Sequence, residues 1–359
     1  MSFLSKISNF VKDVAENPEH LQKIDSFIDE HVGSKTKNVT AAPAPTETWN
    51  HTDAHNEQSA KKALFIGINY FNSSAELRGC IKDVDNLSHF VQEKYGFPAS
   101  SMRKLTDDGA GYGLPTRSNI LENMRWLVQD AKAGDSLFLH YSGHGSQQDD
   151  KDGDEADGKD ETICPVDYET AGMITDDEMH AILCAPLPAG VKLTAIFDCC
   201  HSGSVLDLPF TYSIDGNLQV HEQDNRAATA KKLVRAGLDF IRGDSASAKR
   251  NFTDAYSGFS APPAPMAVAD HAIEKQTTKG DIVLLSGCQD TQTSADAVID
   301  GTATGAMSYA FIAAFKEHST DITYQELLRA LRGFMLSKYS QVPNLSAGRA
   351  LRMDVKFSL

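Results

Sequence analysis

Apolar positions recur along this chain with two different periods. Phe3, Leu4, Ile7, Phe10, Val11 and Val14 fall at the i, i+3, i+4, i+7 spacing of one helix face, and Leu21, Ile24, Phe27, Ile28 and Val32 continue it. The pattern predicts a small helical hairpin over residues 1–35. A membrane-surface or partner-binding helix is the alternative, although Lys6 and Lys12 alone make a poor basic face for lipid. Residues 36–60 are dominated by Ala, Pro, Thr and Asn with little to bury, which predicts a linker.

Beyond it the pattern changes. Ala63 to Phe71, SLFLHYSG, VKLTAIFDCC and DIVLLSGCQD read as short strands apolar on both faces. Helical patterns separate them near Lys82 to Tyr95, Ser118 to Ala131 and Asp176 to Leu183, and follow near Met307 to Lys316 and Tyr324 to Ser337. LRMDVKFSL, from Leu351 to Leu359, reads as a terminal strand. Strands buried on both faces and alternating with helices predict an α/β fold with a mostly parallel central sheet covered on both sides. A large segment, 61–222, and a small one, 281–359, carry this order. Between them, residues 223–280 hold nine basic side chains and the stretch APPAPM, and the periodicity degrades.

Composition narrows the function. The 359 residues carry a net charge of −15, which disfavours a general nucleic-acid binder and suits cationic ligands such as metal ions or basic peptides. No run of 18 apolar residues is present, so no membrane span is expected, and the first 20 residues lack the apolar core of a signal peptide. Six scattered cysteines (Cys80, Cys164, Cys184, Cys199, Cys200 and Cys288) are too few for a disulfide framework in a chain this long. The expectation is a reduced, intracellular protein of the cytoplasm, with the nucleus as the alternative.

In a parallel sheet, chemistry collects at the carboxyl ends of the strands. Two predicted strands end in reactive residue types followed by glycines: LFLHYSGHG, with His140 and His144, and LTAIFDCCHSG, with Cys199, Cys200 and His201. A Cys and a His at adjacent strand ends make a nucleophile and its base. Backbone N–H groups of Gly145 and Cys200 are candidate donors to the oxyanion. The plainer readings are a cysteine that only packs at a strand end and, for His140, a core histidine. A vicinal pair is neither a CxxC nor a zinc knuckle, so redox and zinc chemistry are weak readings.

HYSGHGSQ followed by DCCHSGS resembles the paired His and Cys motifs of the caspase-like clan, and more narrowly a type I metacaspase of the fungal kind. KKALFIGINY, LRGCIKDVDNL, GMITDDEMH, SVLDLPF, LLSGCQDTQTSADA and TGAMSYAF extend the resemblance from Lys61 to Leu359. It implies a caspase-like α/β/α sandwich and a monomeric cysteine endopeptidase that cuts proteins and peptides after Arg or Lys, is activated by Ca²⁺ and cleaves itself. It implies His144 as general base and Cys200 as nucleophile. Many relatives have Ser where this chain has Cys199, and the His201-Ser202-Gly203 register assigns the nucleophile to Cys200, leaving Cys199 to packing or to a minor substitute role.

Cutting after Arg or Lys requires buried carboxylate in a pocket. Asp198, two residues before Cys200, shares its strand face. Asp83 stands after the first strand, where the plainer reading is a solvated acid in a first helical turn. The resemblance implies both as pocket residues, with Cys80 and Ser142. The loop DDKDGDEADGKDE, with six Asp and two Glu, fails as an EF-hand because Glu155 occupies the required glycine position. The resemblance instead implies Asp160, Asp176, Asp177 and Asp207 as calcium ligands. The basic stretch is either a surface insertion or the enzyme's own substrate, with Lys231, Lys232, Arg235, Lys249 and Arg250 as candidate cleavage points. The competing function is a scaffold or aggregate-binding protein acting through the N-terminal helices. Intact His144, Cys200, Asp83 and Asp198 favour the peptidase.

Overall fold

The computed structural model describes residues 59–110, 113–149, 159–199, 204–212, 218–220, 277–287, 296–299, 302–318, 320–338 and 343–359. The expected helical prosegment 1–35, the expected linker up to residue 58, the acidic residues 150–158, Cys200 to Gly203 and the basic stretch up to residue 276, with all five candidate cleavage points, lie outside them. The chain divides into two compact units. One comprises residues 38–148, 160–221 and 275–359 and carries the architecture below; of the other (1–37, 149–159 and 222–274) only Asp149 and Lys159 are described.

Strands β1 (Lys61–Gly67), β2 (Met102–Thr106), β3 (Ser136–Ser142), β7 (Lys192–Asp198), β8 (Phe210–Tyr212), β9 (Leu218–Val220), β10 (Asp281–Ser286) and β13 (Asn344–Ala347) form one eight-stranded sheet in the order β2-β1-β3-β7-β10-β13-β8-β9. The first five in that order run parallel, whereas β13, β8 and β9 are antiparallel to their neighbours. A small sheet β4-β5-β6 (Gly145–Asp149, Lys159–Ile163 and Ile174–Thr175) and a hairpin of β11 (Asp296–Ile299) with β12 (Thr302–Gly305) stand apart from it.

Alternate side chains of the central strands enter two separate cores. Ala63, Phe65, Phe138, Ile196, Val283 and Leu285 cluster with residues of α1 (Cys80–Tyr95), α4 (Ala306–His318) and α5 (Tyr324–Lys338). Leu64, Ile66, Leu137, Leu139, Leu193, Ala195 and Phe197 cluster with residues of α2 (Arg117–Val128) and α3 (Asp176–Leu183). Helices therefore cover both faces, as the unbroken apolar runs require. This is the caspase-like α/β/α sandwich with a mostly parallel sheet. Gly96 ends α1 in the left-handed region at φ 68°, its N–H donating to Gln92 O, and the Thr116 hydroxyl caps α2 by accepting from Asn119 N–H.

The terminal segment corrects the expectation of a strand at 351–359. Leu351, Met353, Phe357 and Leu359 are buried at alternate positions, which imitates a strand in the sequence. Yet both edges of β13 are already taken by β10 and β8. The segment instead lies against the start of α5: Tyr324 and Gln325 N–H donate to Val355 and Met353 O at 3.1 and 2.9 Å, satisfying helix N–H groups that have no partner inside the helix. Edge strand β2 escaped notice because only Leu105 and Thr106 of its five residues are buried.

Gly67 ends β1 where α1 crosses it. A Cβ there would stand 2.7 Å from the Cys80 carbonyl oxygen and 2.7 Å from Val84 Cγ2. Gly67→Ala is expected to destabilise the fold by about 1–3 kcal/mol, seen as a lower urea midpoint at unchanged slope.

Candidate active site

The parallel register of β3 and β7 sets Ser142 opposite Asp198. The chain then leaves the two strands side by side, as Gly143-His144 from β3 and Cys199 from β7, and Gly143 N–H points at Asp198 O at 3.5 Å. Cys199 is fully buried in the core beside α2 and α3, where it packs. Cys200 lies outside the described residues.

His144 is held from several sides. Its Nε2 stands 2.7 Å from Ala75 O; a carbonyl can only accept, so Nε2 carries the proton and Nδ1 of the neutral ring keeps a lone pair. Its backbone N–H donates to Tyr70 Oη at 3.0 Å, and its carbonyl accepts from Tyr141 Oη at 2.7 Å. Tyr70 also faces the imidazole, with ring centroids 4.8 Å apart, and its backbone adopts a positive φ of 51°. A Cβ on Gly143 would stand 2.7 Å from Tyr141 Oη and 3.0 Å from Tyr70 Oη, so the turn into His144 requires glycine.

Two acids meet beside this turn. Asp83, in the first turn of α1, is wholly buried, so the solvated reading fails. It accepts from Ser142 Oγ at 2.9 Å, Thr304 Oγ1 at 2.5 Å and Gly305 N–H at 2.9 Å. Asp198 Oδ2 accepts from Ser308 N–H, in the first turn of α4, at 2.8 Å. Both carboxylates crowd Gly305, where a Cβ would clash with Asp198 and stand 2.8 Å from Asp83 Oδ2. Among the described residues every donor to Asp83 is neutral, and burial, then the charge of Asp198, push its carboxyl up to about 8. Cys80 begins α1, buried, with its N–H on Asn69 Oδ1 at 3.1 Å.

His140, read as a satisfied core histidine, is only half satisfied. Its Nε2 lies 3.1 Å from Ser308 Oγ, while Nδ1 is buried with no hydrogen-bond partner among the described residues. Burial lowers its pKa to about 3 and keeps the ring neutral.

A second acidic cluster forms at the start of α3. Oxygens of Asp160, Asp176 and Asp177 lie within 4.8 Å of one another. The capping box of Thr175 and Glu178 fixes the helix start, and N–H groups of Asp177 and Glu161 donate to the two oxygens of Asp176 at 2.9 and 2.8 Å. Burial, then the charge of Asp207, push the Asp176 carboxyl up to about 9, so Asp207 belongs to the same neighbourhood. Asp207 holds a positive φ of 48°. Asp160 Oδ1 is buried with no hydrogen-bond partner among the described residues. Donors made only of oxygen, one of them buried and unsatisfied, fit a hard dication such as Ca²⁺.

Residues 61–209 match the family model of the metacaspase, peptidase C14 domain. Metacaspase-1 of Schizosaccharomyces pombe is 45% identical over 307 residues, covering 84% of this chain and 70% of the relative. Metacaspase-1 of Mycosarcoma maydis is 45% identical over 301 residues, covering 84% and 73%. The chain belongs to the metacaspase family of cysteine peptidases. A crystal structure of a Geobacter sulfurreducens protein shares the fold, with a TM-score of 0.51, 24% identity and coverage of 83% of this chain and 97% of that one.

The sequence left several parts of this metacaspase site unread. Tyr70, Tyr141 and Ala75 hold the histidine, and Thr304, Gly305 and Ser308 donate around the acids from more than 100 residues away. Gly143, beside His144, gave a local hint.

The Asp83 shift sets a sign for stability. Its folded pKa, about 8, exceeds the ordinary carboxylate value of 3.8. The contribution is full below the unfolded pKa and is lost as pH rises through the folded one. Unfolding free energy should therefore decline with pH between about 4 and 8 more steeply in wild type than in Asp83→Asn. Urea titrations at several pH values measure this, and parallel curves would refute it.

Proposed function

We propose that this metacaspase is a calcium-activated endopeptidase that cleaves after Arg or Lys and processes itself within its basic stretch. The observation that carries the specificity is Asp83, a buried carboxylate supported by neutral donors among the described residues and crowded by a second carboxylate. A guanidinium or ammonium entering there supplies the missing positive charge, and arginine matches two carboxylates through its forked donors.

The chemistry runs through His144 and Cys200. Nδ1 of His144 takes the Cys200 thiol proton, and the thiolate attacks the scissile carbonyl. Backbone N–H groups of Gly145 and Cys200 stabilise the oxyanion. Collapse of the intermediate breaks the C–N bond, and the imidazolium gives its proton to the leaving amine. A water activated by the same nitrogen then hydrolyses the thioester. Asp198 and Asp83 anchor the substrate cation, with Ser142 and Cys80 in the pocket wall.

Asp160, Asp176 and Asp177, with Asp207 beside them, would hold Ca²⁺. When bound, the ion supplies positive charge to carboxylates that otherwise repel one another. The chain's own part is to hold these oxygens at the start of a capped helix.

Arginyl and lysyl peptides should be cleaved and aspartyl peptides not. Asp83→Ala or Asp198→Ala should lower kcat/KM for arginyl substrates by roughly 10- to 150-fold, the worth of a charge-assisted contact. Cys200→Ala and His144→Ala should abolish turnover, whereas Cys199→Ser retains most of it. Undiminished arginyl cleavage by both aspartate variants sinks the pocket assignment.

Activity should require Ca²⁺, with Mg²⁺ a poor substitute because of its strict octahedral demand. Asp176→Ala combined with Asp177→Ala should remove the response. Mass spectrometry of fragments made in Ca²⁺ should find cuts after Lys231, Lys232, Arg235, Lys249 or Arg250. Full activity in a chelator overturns the calcium assignment, and cuts only after non-basic residues overturn the self-processing one.

A further inference from the structure

Glu161 belongs neither to the acid pair of the pocket nor to the cluster at α3, yet it is almost fully buried on β5, with 3% exposure. Its two oxygens reach in different directions. Oε1 accepts from Gln147 Nε2 at 2.9 Å, and Oε2 accepts from Ser204 Oγ at 2.8 Å. Gln147 stands three residues after His144 on β4, and Ser204 stands four residues after Cys200. One carboxylate thus spans the segments that leave the two candidate catalytic residues. Its own backbone is fixed, since Glu161 N–H donates to Asp176 Oδ2 at 2.8 Å. The segment after Ser204 is tied down in turn. Asp207 N–H donates to Ser204 O at 2.6 Å, and His180 Nδ1, on α3, lies 2.9 Å from Leu206 O.

We propose that Glu161 is a positioning residue for the reaction: it clasps Gln147 to Ser204 and so sets the distance between His144 and Cys200. The proposal rests on the His144–Cys200 reading above. Its chemical basis is that the two oxygens of one side chain accept two hydrogen bonds at once, one from each segment. Proton transfer from thiol to imidazole needs hydrogen-bond reach, so a loosened pair loses rate even when the substrate still binds.

The test uses the full-length chain and the variants Glu161→Ala, Glu161→Gln and Ser204→Ala. Three quantities are read: kcat and KM on an arginyl peptide, the pH profile of Cys200 alkylation by iodoacetamide followed by mass spectrometry, and the melting temperature. Glu161→Ala should lower kcat on the order of 10-fold or more. KM should stay within about two-fold, because substrate binding is not the step affected. Its alkylation profile should move to higher pH, because the thiolate loses its imidazole partner. Glu161→Gln can still accept from Gln147 and can donate to the Ser204 hydroxyl, so it should recover most of the rate. Ser204→Ala, which removes one arm, should fall between. Wild-type kcat and alkylation in Glu161→Ala would overturn the proposal. So would a loss in Glu161→Gln equal to that in Glu161→Ala, which would assign the effect to charge rather than to the clasp. If the wild-type chain cleaves no peptide, the peptidase reading fails while the alkylation profiles still decide on Glu161.

Discussion

The register between β3 and β7 is the constraint on which the rest depends. Parallel strands bring like ends to the same edge of the sheet, and side chains alternate between its faces. With Ser142 opposite Asp198, His140 and Ser142 on β3 share a face with Ile196 and Asp198 on β7. Tyr141 and Phe197 point the other way, and their rings lie tilted to one another, centroids 5.8 Å apart, in the opposite core. A slip of one residue would send Asp198 into the apolar core around α2 and α3 and bring Phe197 up against Asp83. The continuous apolar runs do not tolerate that exchange, so packing on two faces fixes where the polar strand ends emerge.

The same face explains why the acids can be buried at all. Asp83 meets donors from β3 and β12, and Asp198 meets the first turn of α4, where helix N–H groups are unpaired by the helix itself. These donors are enough to hold the carboxylates in place. They are not enough to keep Asp83 acidic, because its carboxyl remains pushed up to about 8. A site that is held but under-compensated is poised to take a cation. A fold selected only for stability would place a basic side chain there or a neutral amide.

Much of this was legible in the chain. Strands β1, β3, β7 and β10 declared themselves as apolar runs because they face an apolar core on each side, and α1 and α5 as amphipathic periods because each buries one face. The terminal segment misled for a physical reason: Leu351, Met353 and Phe357 alternate because they pack on a helix start, not because they pair in a sheet. Sheet β4-β5-β6 went unread because its strands are short and mostly polar, carrying Gln147, Gln148, Asp160 and Glu161 with Ile163 and Ile174 as isolated apolar residues. His144, Asp83 and Asp198 were visible as reactive residue types at strand ends. Their supports were not. Tyr70 and Thr304 are ordinary residues whose role exists only after distant strands meet.

Sheet β4-β5-β6 shows why polar sequence can still make a buried, ordered element. Asp160 and Glu161 are adjacent, and strand alternation turns them to opposite sides. Asp160 faces the acidic cluster, where its Oδ2 accepts from Gln148 Nε2 at 3.2 Å, while Glu161 accepts from Gln147 and Ser204. Neighbouring glutamines on β4 thus hold neighbouring acids on β5, one pair on each side. A cation gathered by Asp160, Asp176 and Asp177 would act on the same peptide whose N–H binds Asp176 and whose side chain spans the segments beyond His144 and Cys200. No long chain of contacts would be needed to link the proposed metal to the proposed catalytic pair, because Asp160 and Glu161 are neighbours on β5. That proximity would give the proposed calcium activation a physical route: stiffening the cluster would stiffen β5, which carries Glu161.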